Sequence, residues 1–216
     1  MKKNLSELIF ILDRSGSMAG LEGDTIGGFN AMIEKQRREA GEALVSTVLF
    51  DHESIVLHDR VDLKKIEPMT ERQYTVRGCT ALLDAIGDAV HHMRNVHKYA
   101  REEDRPEKTI FIITTDGMEN ASKRYTYDAV RRMIEEQRER FGWEFLFLGA
   151  NMDAIAAARR FGISDDRAVR FESDHEGTLL NYEVVSDTIG CARSGKPILA
   201  SWKSRIEDDF KRRGKH

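Results

Sequence analysis

Two long apolar runs in this chain each stop at an aspartate, and that repetition constrains the fold more than any other feature. "LIFIL" (8–12) ends at Asp13 and "TIFIITT" (109–115) ends at Asp116. Runs of this kind, without polar alternation, are strands buried on both faces. Helical patterns separate them. Ile26, Phe29, Met32 and Ile33 mark a helix over about 25–40, and Leu83, Ile86, Val90 and Met93 mark another beginning near Thr80. "ALVSTVLF" (43–50) and "SIVLHD" (54–59), joined through the turn "DHES", read as an antiparallel hairpin. A polar connector, 60–78, follows. Beyond Asp116 the pattern predicts a charged helix over about 126–141, a strand over 143–150 and a short helix over 153–161. A weak strand over 167–171 and a last helix over 176–192 complete it. Alternating strands and helices predict an α/β fold: a mostly parallel open sheet, helices on both faces, and one antiparallel edge strand.

In such sheets ligands bind beyond the carboxyl ends of the strands, where the strand order reverses. If the strands ending at Asp13 and Asp116 are neighbours, their carboxylates meet there. The same edge receives Ser15 and Ser17 from "DRSGSM" and Thr80 from "VRGCTALLDAI". Two carboxylates and three hydroxyls, with no His or Cys among them, suit a hard cation better than zinc. Mg²⁺ keeps several of its waters, so few protein ligands are needed. Neutral hydroxyl donors leave the ion's charge poorly quenched and able to attract a carboxylate from outside.

Asp13-x-Ser15-x-Ser17, then Thr80, then Asp116-Gly117 resembles the metal-ion-dependent adhesion site (MIDAS) of von Willebrand factor A (vWA) domains, and the element order is similar from Leu5 to about Arg193. The resemblance implies a doubly wound, Rossmann-like sheet. It also implies that Mg²⁺ or Mn²⁺ is bound by Ser15, Ser17 and Thr80, directly or through water, with Asp13 and Asp116 completing the set. A partner's Asp or Glu would finish the coordination, and small standalone members of the family serve as adaptors in bacterial complexes. Where the family has glycine before the threonine, this chain has Cys79.

At 216 residues the chain suits one domain. We read 1–194 as the vWA-like domain and 195–216 as a basic tail. From Arg193 onward eight basic residues face three acidic ones, although the whole chain carries only -3. The charge balance excludes strong electrostatic attraction to nucleic acid or membrane by the body of the chain. Lys211–Lys215 leave a nucleic-acid contact open, while Ile198, Leu199, Trp202, Ile206 and Phe210 could pack on the domain. Two isolated cysteines, no run near the roughly 18 apolar residues of a membrane span, and an amino-terminal apolar run too short for a signal peptide predict a cytoplasmic protein.

Other chemistries fit less well. Asp13 at a strand end could be the nucleophile of a haloacid-dehalogenase-like, Mg²⁺-dependent phosphohydrolase, with Asp116 or Glu119 holding the ion. The general acid two residues on is replaced by Ser15, which cannot act as an acid at neutral pH. The expectation is therefore a non-enzymatic binding module. Gly16, Gly20 and Gly23 form no G-x-G-x-x-G motif, and no GK[ST] loop occurs. Cys79 is expected to pack under its loop. His91, His92 and His97 are expected on a solvated helix face, and Asp51, His52 and Glu53 in a simple turn.

Overall fold

The computed structural model describes residues 1–150 and 152–213. Six strands form one sheet: β1 (Lys2–Asp13), β2 (Glu42–Phe50), β3 (Ser54–Asp62), β4 (Pro106–Thr115), β5 (Glu144–Ala150) and β6 (Ala168–Phe171), in the spatial order β3-β2-β1-β4-β5-β6. Every neighbouring pair is parallel except β2 and β3. The helices are α1 (Glu22–Arg37), α2 (Leu82–Tyr99), α3 (Tyr127–Phe141), α4 (Ala154–Arg160), α5 (His175–Arg193) and α6 (Ser204–Arg213). The mostly parallel sheet and its antiparallel edge strand are as the apolar patterning predicts, and the doubly wound order is as the resemblance implies.

Strand alternation sorts the core into two layers. Leu8, Phe10 and Leu12 face Phe29 and Ile33 of α1 and Val185 and Ile189 of α5. Ile9 and Ile11 face Ile86 and Val90 of α2 and Val130 and Ile134 of α3. Consecutive residues of β1 thus bury into opposite layers, as the pleat requires. The chain leaves β1 toward β2 on one side and returns to β4 on the other, which makes the β1–β4 boundary the switch point. There Leu12 pairs with Thr114, so Asp13 and Asp116 emerge at almost the same level.

Boundaries differ where contacts distant in sequence intervene. β1 begins at Lys2, before the apolar run, because Lys2 N donates to Arg105 O at 2.7 Å and Asn4 N to the Glu107 carboxylate at 2.8 Å. Helix α2 begins at Leu82, so Thr80 lies in the preceding loop. Its exposed amide groups are capped from elsewhere: Leu83 N donates to Glu119 Oε2 at 2.8 Å and Asp84 N to Ser122 Oγ at 3.0 Å. His97 departs from the solvated helix face expected for it. It is largely buried, binds the Glu7 carboxylate and packs edge-on against Trp143 at 5.1 Å.

The carboxyl-terminal segment packs on β6 and α5. Trp202 Nε1 donates to Asp166 O at 2.8 Å, and Lys203 Nζ to Asp165 O and Ala168 O at 2.7 and 2.8 Å. Ile206 is buried and Leu199 exposed. Arg212 and Arg213 pair with Asp209, and Arg213 also with Asp174. Lys215 lies outside the described residues. Among those described, no helix is long and apolar enough to cross a membrane.

Candidate metal centre

Three loops meet at the switch point. The first follows β1. Its turn is closed by Ser15 N donating to Asp13 Oδ1 at 2.7 Å, an Asx turn that swings the Ser15 side chain back over the strand end. Ser15 Oγ and Ser17 Oγ lie 3.1 Å apart. The second loop precedes α2 and carries Thr80, held by a reciprocal pair with Asn120: Thr80 N donates to Asn120 Oδ1 at 2.9 Å and Asn120 N to Thr80 O at 3.0 Å. The third follows β4. Ser17 Oγ donates to Asp116 Oδ1, which ties it to the first.

Gly117 shows how tightly the hydroxyls converge. A Cβ built there would lie 2.8 Å from Thr80 Oγ1, 3.3 Å from Ser17 Oγ and 3.7 Å from Ser15 Oγ. Three hydroxyl oxygens therefore crowd one side of a residue that has no side chain to fill the space. The structure brings together Ser15, Ser17, Thr80 and Asp116 by these contacts, with Asp13 beneath them.

Both carboxylates are buried, and their donors are neutral. Asp13 Oδ2 accepts from Thr115 Oγ1, and Asp116 Oδ2 from Ser173 Oγ at 3.3 Å. Burial raises the Asp13 pKa above its ordinary value; hydrogen bonds from Thr115 and Ser15 reverse part of that rise and the Asp116 charge adds to it. Burial likewise raises Asp116, against the hydrogen bonds of Ser17 and Ser173. Two acids held close in low dielectric without a protein cation repel each other, and a divalent cation would relieve that repulsion. The donor set of two carboxylates and three hydroxyls suits such an ion through oxygen alone. Among the described residues, no group of three or more His, Cys, Asp or Glu side chains could hold a metal without those hydroxyls.

Tyr74 and Ser173 escaped the sequence reading, and Glu119 plays a part other than holding an ion. Tyr74, deep in the 60–78 connector, donates its hydroxyl to Asp13 O; its pKa stands well above the ordinary phenol value, chiefly because it is buried. Glu119 folds the third loop, accepting from Ala121 N at 3.0 Å and Ser122 N at 2.8 Å besides capping α2. Ser173 reaches in from the loop after β6. Cys79 is exposed rather than packed under the loop. The preceding Gly78 has φ +70°, a conformation that favours glycine, and a Cβ there would strike the His52 ring at 2.3 Å. Asp51 is buried and ion-paired, far from a simple turn residue.

No family model matches the chain, and no curated protein is similar to it in sequence. Solved structures match in shape. The vWF domain of the type V pili tip protein Mfa5 from Porphyromonas gingivalis superposes with a TM-score of 0.61 at 13% identity, covering 87% of this chain and 95% of that one. This chain has a von Willebrand factor A fold. The vWA resemblance extends to manganese-loaded Plasmodium vivax TRAP protein, with a TM-score of 0.56 at 16% identity over 83% of this chain and 73% of that one. It extends also to proximal thread matrix protein 1 of the mussel byssus with a zinc-occupied MIDAS motif, with a TM-score of 0.58 at 14% identity over 88% and 47%. The chain spans about half the length of the mussel protein.

Proposed function

We propose that the chain is a divalent-metal-dependent protein-binding module. Asp13, Ser15, Ser17, Thr80 and Asp116 would hold Mg²⁺ or Mn²⁺ at the switch point. When bound, the ion would supply a Lewis-acidic coordination position for an Asp or Glu side chain of a partner. The observation that carries this reading is the convergence of three hydroxyls beside Gly117 with two buried acids that meet no protein cation. The manganese-loaded and zinc-occupied neighbours give it further weight. Met118, 69% exposed beside Gly117, offers apolar surface to the same partner.

The residues divide the work. The buried strand and the Ser15 amide fix Asp13, Tyr74 anchors its backbone, and Glu119 with Asn120 keeps Thr80 facing the first loop. Binding is favoured over phosphoryl transfer because the position two residues on from Asp13 is Ser15, which cannot act as a general acid at neutral pH. The acidic partners of Arg212 and Arg213 weigh against a nucleic-acid role for the tail. An adaptor role in the cytoplasm fits two exposed, free cysteines.

Calorimetric titration of Mg²⁺ and Mn²⁺ into the wild type and the Ser15→Ala/Ser17→Ala variant tests the site. Uptake by the wild type and none by the variant is expected. Equal uptake by both would refute the assignment, and partner affinity unchanged in excess chelator would refute the role of the ion.

A further inference from the structure

Asp51 follows β2 directly, is fully buried, and lies in none of the motifs above. Arg14 Nε and Arg77 Nε both stand 2.9 Å from its Oδ2. Its Oδ1 receives Glu53 N at 2.8 Å and lies 2.9 Å from His52 Nδ1. Its backbone oxygen accepts Ala81 N at 2.7 Å, one residue past Thr80. Burial opposes ionisation of Asp51, but the Glu53 amide, the Arg77 hydrogen bond and the charges of Arg14 and Arg77 outweigh it and lower its pKa.

The partner that matters is Arg14, the residue between Asp13 and Ser15. Its side chain is only 3% exposed. Nε and Nη2 make no aligned hydrogen bond, so the Asp51 contact is an ion pair rather than a fork-to-fork bond. Arg14 is flanked by Asp13 and Ser15, and its buried guanidinium lies on the Asp51 side of that loop. Left uncancelled, a charge there would repel a divalent cation held by its two neighbours, and burial keeps salt from screening it. Water solvates and screens the charge of Arg77, which is half exposed, but does not reach that of Arg14.

We propose that Asp51 is a positioning residue for the metal ion: its carboxylate cancels the buried Arg14 charge and so sets the ion affinity of the adjoining site. The proposal rests on the metal-binding reading. It makes Asp51 part of the site electrostatically, without contact to the ion.

Mn²⁺ titration of the full chain by calorimetry, with Asp51→Asn, Arg14→Gln and the double variant, tests this, with folding checked by circular dichroism in chelator. Asp51→Asn is expected to weaken Mn²⁺ binding about tenfold. The double variant, with neither charge, should regain most of that loss. Arg14→Gln alone should bind several-fold more tightly than the wild type, opposite in sign to the effect of a lost structural anchor. This arm decides the matter even if Asp51→Asn fails to fold. Wild-type affinity in Asp51→Asn, no recovery in the double variant, or weakened binding in Arg14→Gln would each overturn the charge-balancing role. A wild type that takes up no Mn²⁺ would overturn this proposal together with the metal-binding reading, whereas wild-type uptake with a silent Asp51→Asn would overturn this one alone.

Discussion

At the amino-terminal end of the sheet, Glu7 is fully buried and each of its oxygens meets a basic side chain: Arg60 on Oε1 and His97 on Oε2. Arg60 even adopts φ +52° in the irregular pairing of β3 with β2. At the carboxyl-terminal end, Asp13 and Asp116 are just as buried but meet hydroxyls and one amide. Asp51 and Asp84, nearby, resemble Glu7 in having basic partners, and both titrate below their ordinary value. Burial works against ionisation in each; for Asp84 the amides of Lys123, Tyr125 and Arg124 and the Arg124 charge prevail. Glu7, Asp51 and Asp84 are charge-complete within the chain, whereas Asp13 and Asp116 are charge-open. The difference separates carboxylates that hold the fold together from carboxylates kept for something outside it.

Asp13 separates the two kinds of carboxylate most directly. Asp13→Ala should remove calorimetrically detectable Mn²⁺ uptake, yet leave the chelator-treated protein melting no lower than the wild type. A large fall in that melting temperature would place Asp13 with the structural acids. Glu7→Ala should do the reverse, costing about 3 kcal/mol in denaturant unfolding because it strands two basic groups at a buried position. Its Mn²⁺ affinity should stay at the wild-type value. Gly117→Ala comes next: a methyl 2.8 Å from Thr80 Oγ1 should lower ion affinity by on the order of tenfold or more, with little change in chelator stability.

The smallest effect lies in pH dependence. The raised pKa values of Asp13 and Asp116 mean that their contribution is fully present below the ordinary value of 3.8 and is lost as pH rises through the folded values. In chelator, the melting temperature of Asp13→Asn/Asp116→Asn relative to the wild type should therefore climb as pH increases above 3.8. Saturating Mn²⁺ should reverse the order at neutral pH. Asp51 and Asp84, with lowered pKa values, contribute in the opposite sense, losing stability as pH falls. Parallel melting curves at all pH values would remove the distinction.

Much of this was legible in the residues. Uninterrupted apolar runs mark β1 and β4, the hairpin signal marks β2 and β3, and strand ends place Asp13 and Asp116 together on the condition, met in the structure, that β1 and β4 are neighbours. What escaped depends on contacts across long stretches of chain. Thr80 reads locally as a helix start, and only Glu119, 36 residues from Leu83, shows that α2 is capped from another loop. His97 looks solvated until Glu7, 90 residues away, turns inward from β1. Asp51 had a signal of its own: "VLFD" ends an apolar strand in aspartate just as "FILD" does. Its neighbours His52 and Glu53 made it look like a turn. Strand-end position was therefore a better guide than local composition.

The space beside Gly117 has a consequence for how variation at this end of the molecule would be read. At most positions of a folded chain, tolerance is graded by size and polarity. At Gly117 the obstruction begins with the first carbon of any side chain, so a saturation scan scored for ion uptake should give a uniform row: every replacement weakens uptake at least as much as alanine does, whatever its chemistry. A row of that shape distinguishes a place that must stay hollow from one that must hold a particular group.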